Sequence, residues 1–401
     1  MMTEEKKSIS SLVGGLGVQP RITLVISGIH GHTADCMEAT VVYSFPHRVD
    51  HSNTILIIVD DLFLTTVLHS VSVDSDGPRP RIQTDDLDNH IAWMSEINAG
   101  MPPGSDYFIE LGFNGNGNEE QAAKISGFTC PNAVIRNDPP SPPENQEFAK
   151  PIGSGTSQWP SGQQYVWSSQ CTLLDPLAQY FQNPTNRDSF ALVSHTFSHE
   201  NLDNATYSDA FNEITFNQQH ATNIGFVNAA RWSPNGLIPP AITGLHNGDV
   251  LKAFSDNGIV HVVGDNTRTA LRNAVNQHWP VITTVEANGF AGVEITPRWA
   301  TQIFFDWYVS PSDESNLSSD VDENLDEWHS NGHTGDMTEL LAEDSAVTMG
   351  NLMSLYQGES PQLLSDFRSL HVPSSESPNH RCCGDYSQRC HQATLSTANV
   401  G

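Results

Sequence analysis

The sequence predicts an α/β fold, a distorted (β/α)7-type barrel with a short N-terminal β segment and an irregular C-terminal tail. Three observations predict it. Seven short apolar runs are spread over residues 55–307. Segments of helical pattern stand between several of them, and strands that alternate with helices imply parallel βα units. Several runs also end in Asp, His or Arg, and barrel enzymes gather their chemistry at the C-terminal ends of strands.

The 401 residues carry 47 acidic and 18 basic side chains, a formal net charge of −29. Such a surface repels phosphates and excludes a nucleic-acid partner. It suits a cationic ligand or product. No apolar run approaches the roughly 18–20 residues of a membrane-spanning helix. The first residues, MMTEEKKSISSLVGG, lack the pattern of a secretory leader. Six cysteines are too sparse for a disulfide scaffold and leave the redox compartment open. Asn204-Ala205-Thr206 and Asn316-Leu317-Ser318 are glycosylation triplets, compatible with secretion.

Taken in order, residues 1–53 hold one or two strands (ITLVISGI, ATVVYSF) and form an N-terminal segment, a possible remnant of a β-sandwich. The barrel is expected over 54–358. Its strands are ILIIV (55–59), YFIELGF (107–113), FALV (190–193), GFVNAA (225–230), IVHVVG (259–264), VEITP (293–297) and QIFFDW (302–307). Helices are expected at 85–99, 208–222 and 245–257, the last closed by Gly258. The interval 131–165, rich in Pro, Ser, Gly, Asn and Gln, reads as a long loop beside a binding cleft. Residues 311–346 hold eleven acidic side chains and no Lys or Arg. Their DVDENLDE string puts Leu325 where a calcium loop needs Gly, so this is a solvated acidic face. Residues 359–401 form the irregular tail.

The strand ends carry the chemistry. ILIIV runs into Asp60-Asp61, FALV into His195 with His199 four residues on, GFVNAA into Arg231, and IVHVVG into Asp265. One Asp and two His make a donor set for a single divalent ion that leaves positions open for water and substrate. Of two adjacent carboxylates, one can bind the ion while its neighbour takes a proton from the attacking water. The other acidic pair, Asp85-Asp86, follows no strand and reads as a helix N-terminus. There is no G-x-S-x-G, no GxxxxGK[ST] and no H-E-x-x-H, and the glycines of FNGNGNEE are too few for a dinucleotide fingerprint.

These residues resemble the polysaccharide deacetylases of the NodB-like fold, which remove N-acetyl groups. Asp60-Asp61 resembles the family's first motif, and His195-Thr196-Phe197-Ser198-His199 its H-[ST]-x-x-H. Arg231-Trp232-Ser233-Pro234 is similar to the Arg/Pro motif, and Asp265 stands where an Asp/Trp motif belongs. VDDLFLTT, SHTFSHENLDNATYSD, GLIPPAITGLHNGD and VGDNTR look most like the fungal extracellular deacetylases of galactosaminogalactan. The resemblance covers about residues 55–310. It implies Asp60 as general base and Asp61, His195 and His199 as ligands of one divalent ion, zinc for preference. Arg231 would orient the base, Asp265 would hold Arg231, and His391 would echo the family's late histidine. The implied substrate is an acetylated amino-sugar polysaccharide, and the implied location is extracellular or cell wall. The rival implication is a catalytically impaired, carbohydrate-binding relative. Leu62-Phe63 departs from the Gly-Pro that usually follows the Asp pair.

Overall fold

The computed structural model describes residues 40–44, 54–64, 81–100, 106–125, 130–131, 149–159 and 162–299, with scattered positions from 328 to 350. The runs at 22–29 and 302–307, most of the 131–165 loop, most of the acidic stretch and the tail with His391 lie outside these residues. Among the described residues, nine strands form one sheet. In chain order they are β1 (Thr40–Ser44), β2 (Thr54–Leu62), β3 (Glu110–Phe113), β4 (Ala191–Ser194), β5 (Trp232–Leu237), β6 (His261–Val263), β7 (Val281–Ile282), β8 (Glu294–Thr296) and β9 (Arg298–Trp299). The sheet order is β7-β8-β6-β5-β4-β3-β2-β1-β9.

Strands β2 to β6 run parallel, and β8 continues them beside β6. β1 is antiparallel to β2, and β9 pairs antiparallel with β1. Only Pro297 separates β8 from β9. One extended segment therefore pairs with β6 through Ile295 and with β1 through Arg298. It joins the two ends of the parallel sheet, and the result is a distorted α/β barrel with β7 as an added edge strand. Strands covered on both faces read as continuous apolar runs. Leu111 and Leu192 are fully buried, and all four residues of both β3 and β4 are buried.

The principal described helices are α1 (Thr84–Gly100), α2 (Gly115–Lys124), α3 (Tyr207–Ile224) and α4 (Gly248–Asp256). Asp85 and Asp86 occupy the first turn of α1, and Asp86 Oδ2 accepts from the Gln83 N–H at 2.8 Å, as their cap pattern implies. Thr206 caps α3 by accepting from the Asp209 N–H. After α4, Gly258 has φ +80°. Its N–H bonds to Ser255 O, and that of Ile259 bonds back to Phe254 O, the paired bonds of a Schellman stop.

The fourth expected strand is displaced. Gly225 at φ +82° ends α3, and Phe226–Asn228 is a 3-10 turn rather than a strand. The strand is the next segment, WSPNGL, whose Pro and polar residues hide it. A proline is tolerated here because the register slips between Val193 and Ser194. The first half of β5 pairs with β4 through Trp232 and Ser233, and its second half pairs with β6 through Gly236 and Leu237. This displacement reverses the placement of Arg231, as described below. Helix α2, which begins in FNGNGNEE, was not expected from the sequence at all.

Candidate metal centre

Asp60 and Asp61 end β2, and His195 follows β4 directly, so parallel strands deliver them to the same face. Asp61 has φ +61°, Phe63 +81°, Thr196 +66° and His199 +61°. Non-glycine residues hold such a conformation only when their surroundings over-determine it, which is common at binding sites. The surroundings are visible. Arg81 Nε donates to Phe63 O at 3.1 Å while its guanidinium pairs with the fully buried Asp175. Asn114 Nδ2 donates to the carbonyls of both His195 and Thr196. Glu213 of α3 accepts from the Ser198 N–H at 2.9 Å and from its hydroxyl.

Phe197 anchors the middle of the H-T-F-S-H turn. Its fully buried ring packs among Trp167 (5.4 Å between centroids), Phe216 (5.6 Å) and Tyr165 (6.1 Å). Cys171, disulfide-bonded to Cys130, belongs to the same buried cluster. With the phenylalanine held below, the two histidines are turned toward Asp61.

The ligand atoms of Asp61, His195 and His199 lie within 4.8 Å of one another. Asp61 Oδ1 stands 3.3 Å from His195 Nε2 and 3.6 Å from His199 Nε2. Ligands about 2.0–2.2 Å from one ion, at tetrahedral angles, are separated by roughly 3.2–3.6 Å. The donor set fits a divalent ion in both chemistry and spacing. His195 Nδ1 is 2.8 Å from Ile238 O, which fixes the tautomer that leaves the Nε2 lone pair free for an ion. Burial alone pushes the His195 pKa down, but the hydrogen bond to Asp61, the charges of Asp60 and Asp61 and the Ile238 carbonyl together raise it. The pocket's field therefore favours a cation.

Asp265 follows β6 with one residue, Gly264, between it and Val263. Its Oδ1 accepts from the Thr267 N–H and hydroxyl at 2.9 and 2.6 Å. Its Oδ2 lies 3.6 Å from Arg268 Nε and 3.7 Å from Arg298 Nη2. Arg298 is buried, which lowers its pKa, while Asp265 and Asp60 both stabilise its charge. A buried guanidinium thus lies beside Asp265, within reach of the charge of Asp60.

Arg231 does not reach this group. It precedes β5, and its carbonyl accepts from Leu192 N at the start of β4. Its guanidinium donates to Asp106 Oδ2 at 2.9 Å and to Asp188 O at 3.1 Å, and lies 4.4 Å over the Phe108 ring. Those partners precede β3 and β4, so Arg231 sits at the end of the barrel away from His195. The strand boundary explains the correction: an arginine expected at a strand's end stands at a strand's beginning. Arg298 is the arginine that the sequence reading missed. The signal was present, because Arg298 follows the apolar run VEITP just as Asp265 follows IVHVVG.

Behind His199, Glu200 is fully buried and accepts from Trp159 Nε1 at 3.0 Å. Burial first, then the charges of Glu213 and Asp209, push its pKa up to about 9. The folded chain keeps this proton up to about pH 9, while an unfolded glutamate loses it near the ordinary 4.5. The native state binds the extra proton between those values, so stability is fully present below the lower one and falls as pH rises toward the upper. The metal-free protein should show a Tm that declines across about pH 5–9, and Glu200→Gln should flatten that decline. An unchanged slope in the variant, followed by thermal melts at stepped pH, would remove Glu200 as its cause.

Residues 56–361 match the family model described as the Agd3 deacetylase domain. A solved structure described as "Crystal structure of Agd3 a novel carbohydrate deacetylase" is 42% identical, with a TM-score of 0.62. The likeness covers 73% of this chain and 42% of that one, so the chain spans less than half of that relative's length. No curated protein matches the chain. The family match takes in every residue of the cluster, from Asp60 to Arg298, and the chain belongs to the Agd3 deacetylase domain family.

Proposed function

We propose that this chain is a metal-dependent deacetylase that removes N-acetyl groups from an N-acetylhexosamine polysaccharide of the galactosaminogalactan kind. The observation that carries the reading is one cluster: Asp60 beside the Asp61/His195/His199 donor set, backed by Arg298 and Asp265. The family match and the carbohydrate deacetylase named for the similar structure support the reaction class. A divalent ion bound by these ligands, zinc by the N2O donor set, supplies a polarised acetamide carbonyl and a more acidic water.

The chain's own residues do the rest. Asp60 takes the proton from the water that attacks the acetamide carbon. Arg298, whose charge Asp265 and Asp60 both stabilise, orients the base, and Asp265 holds Arg298. The Ile238 carbonyl and the Glu213–Ser198 bonds hold the two imidazoles in ligand geometry, so little reorganisation accompanies reaction. His391 is the resemblance's candidate for protonating the departing amine. Each turnover leaves a cationic amine on the polymer, and a chain of net charge −29 attracts such a product. The Cys130–Cys171 disulfide and the exposed Asn204 of a glycosylation triplet support work outside the cell, at the wall or in a surrounding matrix.

The test joins a metal assay to acetate release. The purified protein should carry one divalent ion and release acetate from partially acetylated galactosamine polymer. Chelation should abolish release and added zinc should restore it. Metal-loaded protein that binds the polymer yet frees no acetate from it, or from chitin oligomers, would overturn the enzyme reading in favour of a carbohydrate-binding relative.

A further inference from the structure

The loop from Asp265 back to β7, residues 266–280, is pinned along its length. Asn266 Nδ2 donates to Gln277 O at 2.8 Å, and Asn273 Nδ2 to Pro280 O at 2.9 Å. Asn273 Oδ1 accepts from the Val275 and Asn276 N–H groups, and Asn276 Oδ1 from that of His278. The Trp279 N–H bonds to Asn276 O at 2.9 Å. His278 is buried, its ring stacked 4.8 Å from that of Trp299, the neighbour of Arg298. Yet Trp279, between His278 and Pro280, is 51% exposed. Val275, Ile282 and Val285 of the same stretch are exposed as well.

We propose that Trp279 is a sugar-stacking platform, a subsite that binds a hexosamine ring of the polymer beside the metal centre. The inference rests on the carbohydrate reading above. Three features carry it. The loop leaves the C-terminal end of β6, the barrel face on which Asp61, His195 and Asp265 gather. Its two ends are tied to residues next to the site: Gln277 to Asn266, which follows Asp265, and His278 to Trp299, which follows Arg298. The exposed ring also belongs to a run of exposed apolar side chains, and such patches mark binding surfaces more often than chance. A sugar ring has an apolar C–H face and a rim of hydroxyls, which suits a flat indole set among polar loop atoms. Because the loop is already ordered by its asparagines, stacking costs little additional ordering of the backbone. A polymer substrate makes the subsite useful, since contacts away from the reacting acetamide hold the chain in register over it.

The experiment compares wild type with Trp279→Ala and Trp279→Phe, each checked for an unchanged Tm. Acetate release is measured from partially acetylated galactosamine polymer, from a chitin hexamer and from a small aryl acetate that reaches only the reaction centre. Hexamer binding is measured by calorimetry. Trp279→Ala should raise KM for the polymer and hexamer about tenfold, with kcat and aryl acetate turnover nearly unchanged. Trp279→Phe should recover much of that loss. An unchanged KM for the polymer and hexamer overturns the proposal. A variant that alters only the sedimentation of the protein overturns it too, because the patch is then a contact between protein chains. If wild type binds the hexamer through Trp279 but releases no acetate, the platform stands and the deacetylase reading falls. If wild type neither binds nor reacts, both fall together.

Discussion

Asp60→Asn should leave the divalent ion bound and lower acetate release by about a thousandfold, within the range that a positioned general base contributes. The ion should stay because the donor atoms that converge on one point belong to Asp61, His195 and His199. The asparagine amide is close in size to the carboxylate but accepts no proton. The matching ligand variant, His195→Ala, should behave differently. It removes a donor and leaves the Ile238 carbonyl without its imidazole partner, so metal content and activity should be lost together. Metal content by mass spectrometry, beside kcat and KM, separates the two. A fully active Asp60→Asn protein would sink the assignment of the base. Loss of the ion in Asp60→Asn would show that both carboxylates ligate.

The second large effect distinguishes two arginines. Arg298→Met should lower kcat by about a hundredfold or more, because it strips away a buried positive charge that Asp265 and Asp60 both stabilise. The loss should fall on kcat rather than KM, because the arginine acts on the base and not on substrate binding. Arg231→Ala should leave kcat unchanged within about twofold. Its pair with Asp106 is partly exposed and at the other end of the barrel, and its loss is worth at most about 1 kcal/mol of stability. Values of kcat and KM for each variant decide the matter. The opposite result, with Arg231 essential and Arg298 dispensable, would return the role to the arginine of the Arg/Pro motif.

Much of this was legible in the chain. ILIIV, FALV and IVHVVG announced parallel strands, and FALV is buried throughout, because a strand covered on both faces has no need to alternate. The ligand motif was legible for a similar reason. Asp60-Asp61 and His195 to His199 stand directly after such strands, and an ion restricts its donors to few residue types at short spacing. The fourth strand was misplaced because WSPNGL carries a proline and a glycine in a sheet interior. The register slip that admits them is a property of the neighbours β4 and β6. Arg231 was misassigned with it.

By itself the sequence determined the α/β class, the donor set Asp61, His195 and His199 with Asp60 beside it, and the family resemblance, all carried by local runs and motifs. Only the tertiary structure decided that Arg298, and not Arg231, lies beside Asp265. Arg298 reaches Asp265 because one segment, split at Pro297, pairs with β6 on one side and β1 on the other. That closure pairs Val42 with Arg298, 256 positions apart in the chain. No local pattern encodes it, because it is fixed by long-range strand pairing and by the burial of a charge that two carboxylates hold in place.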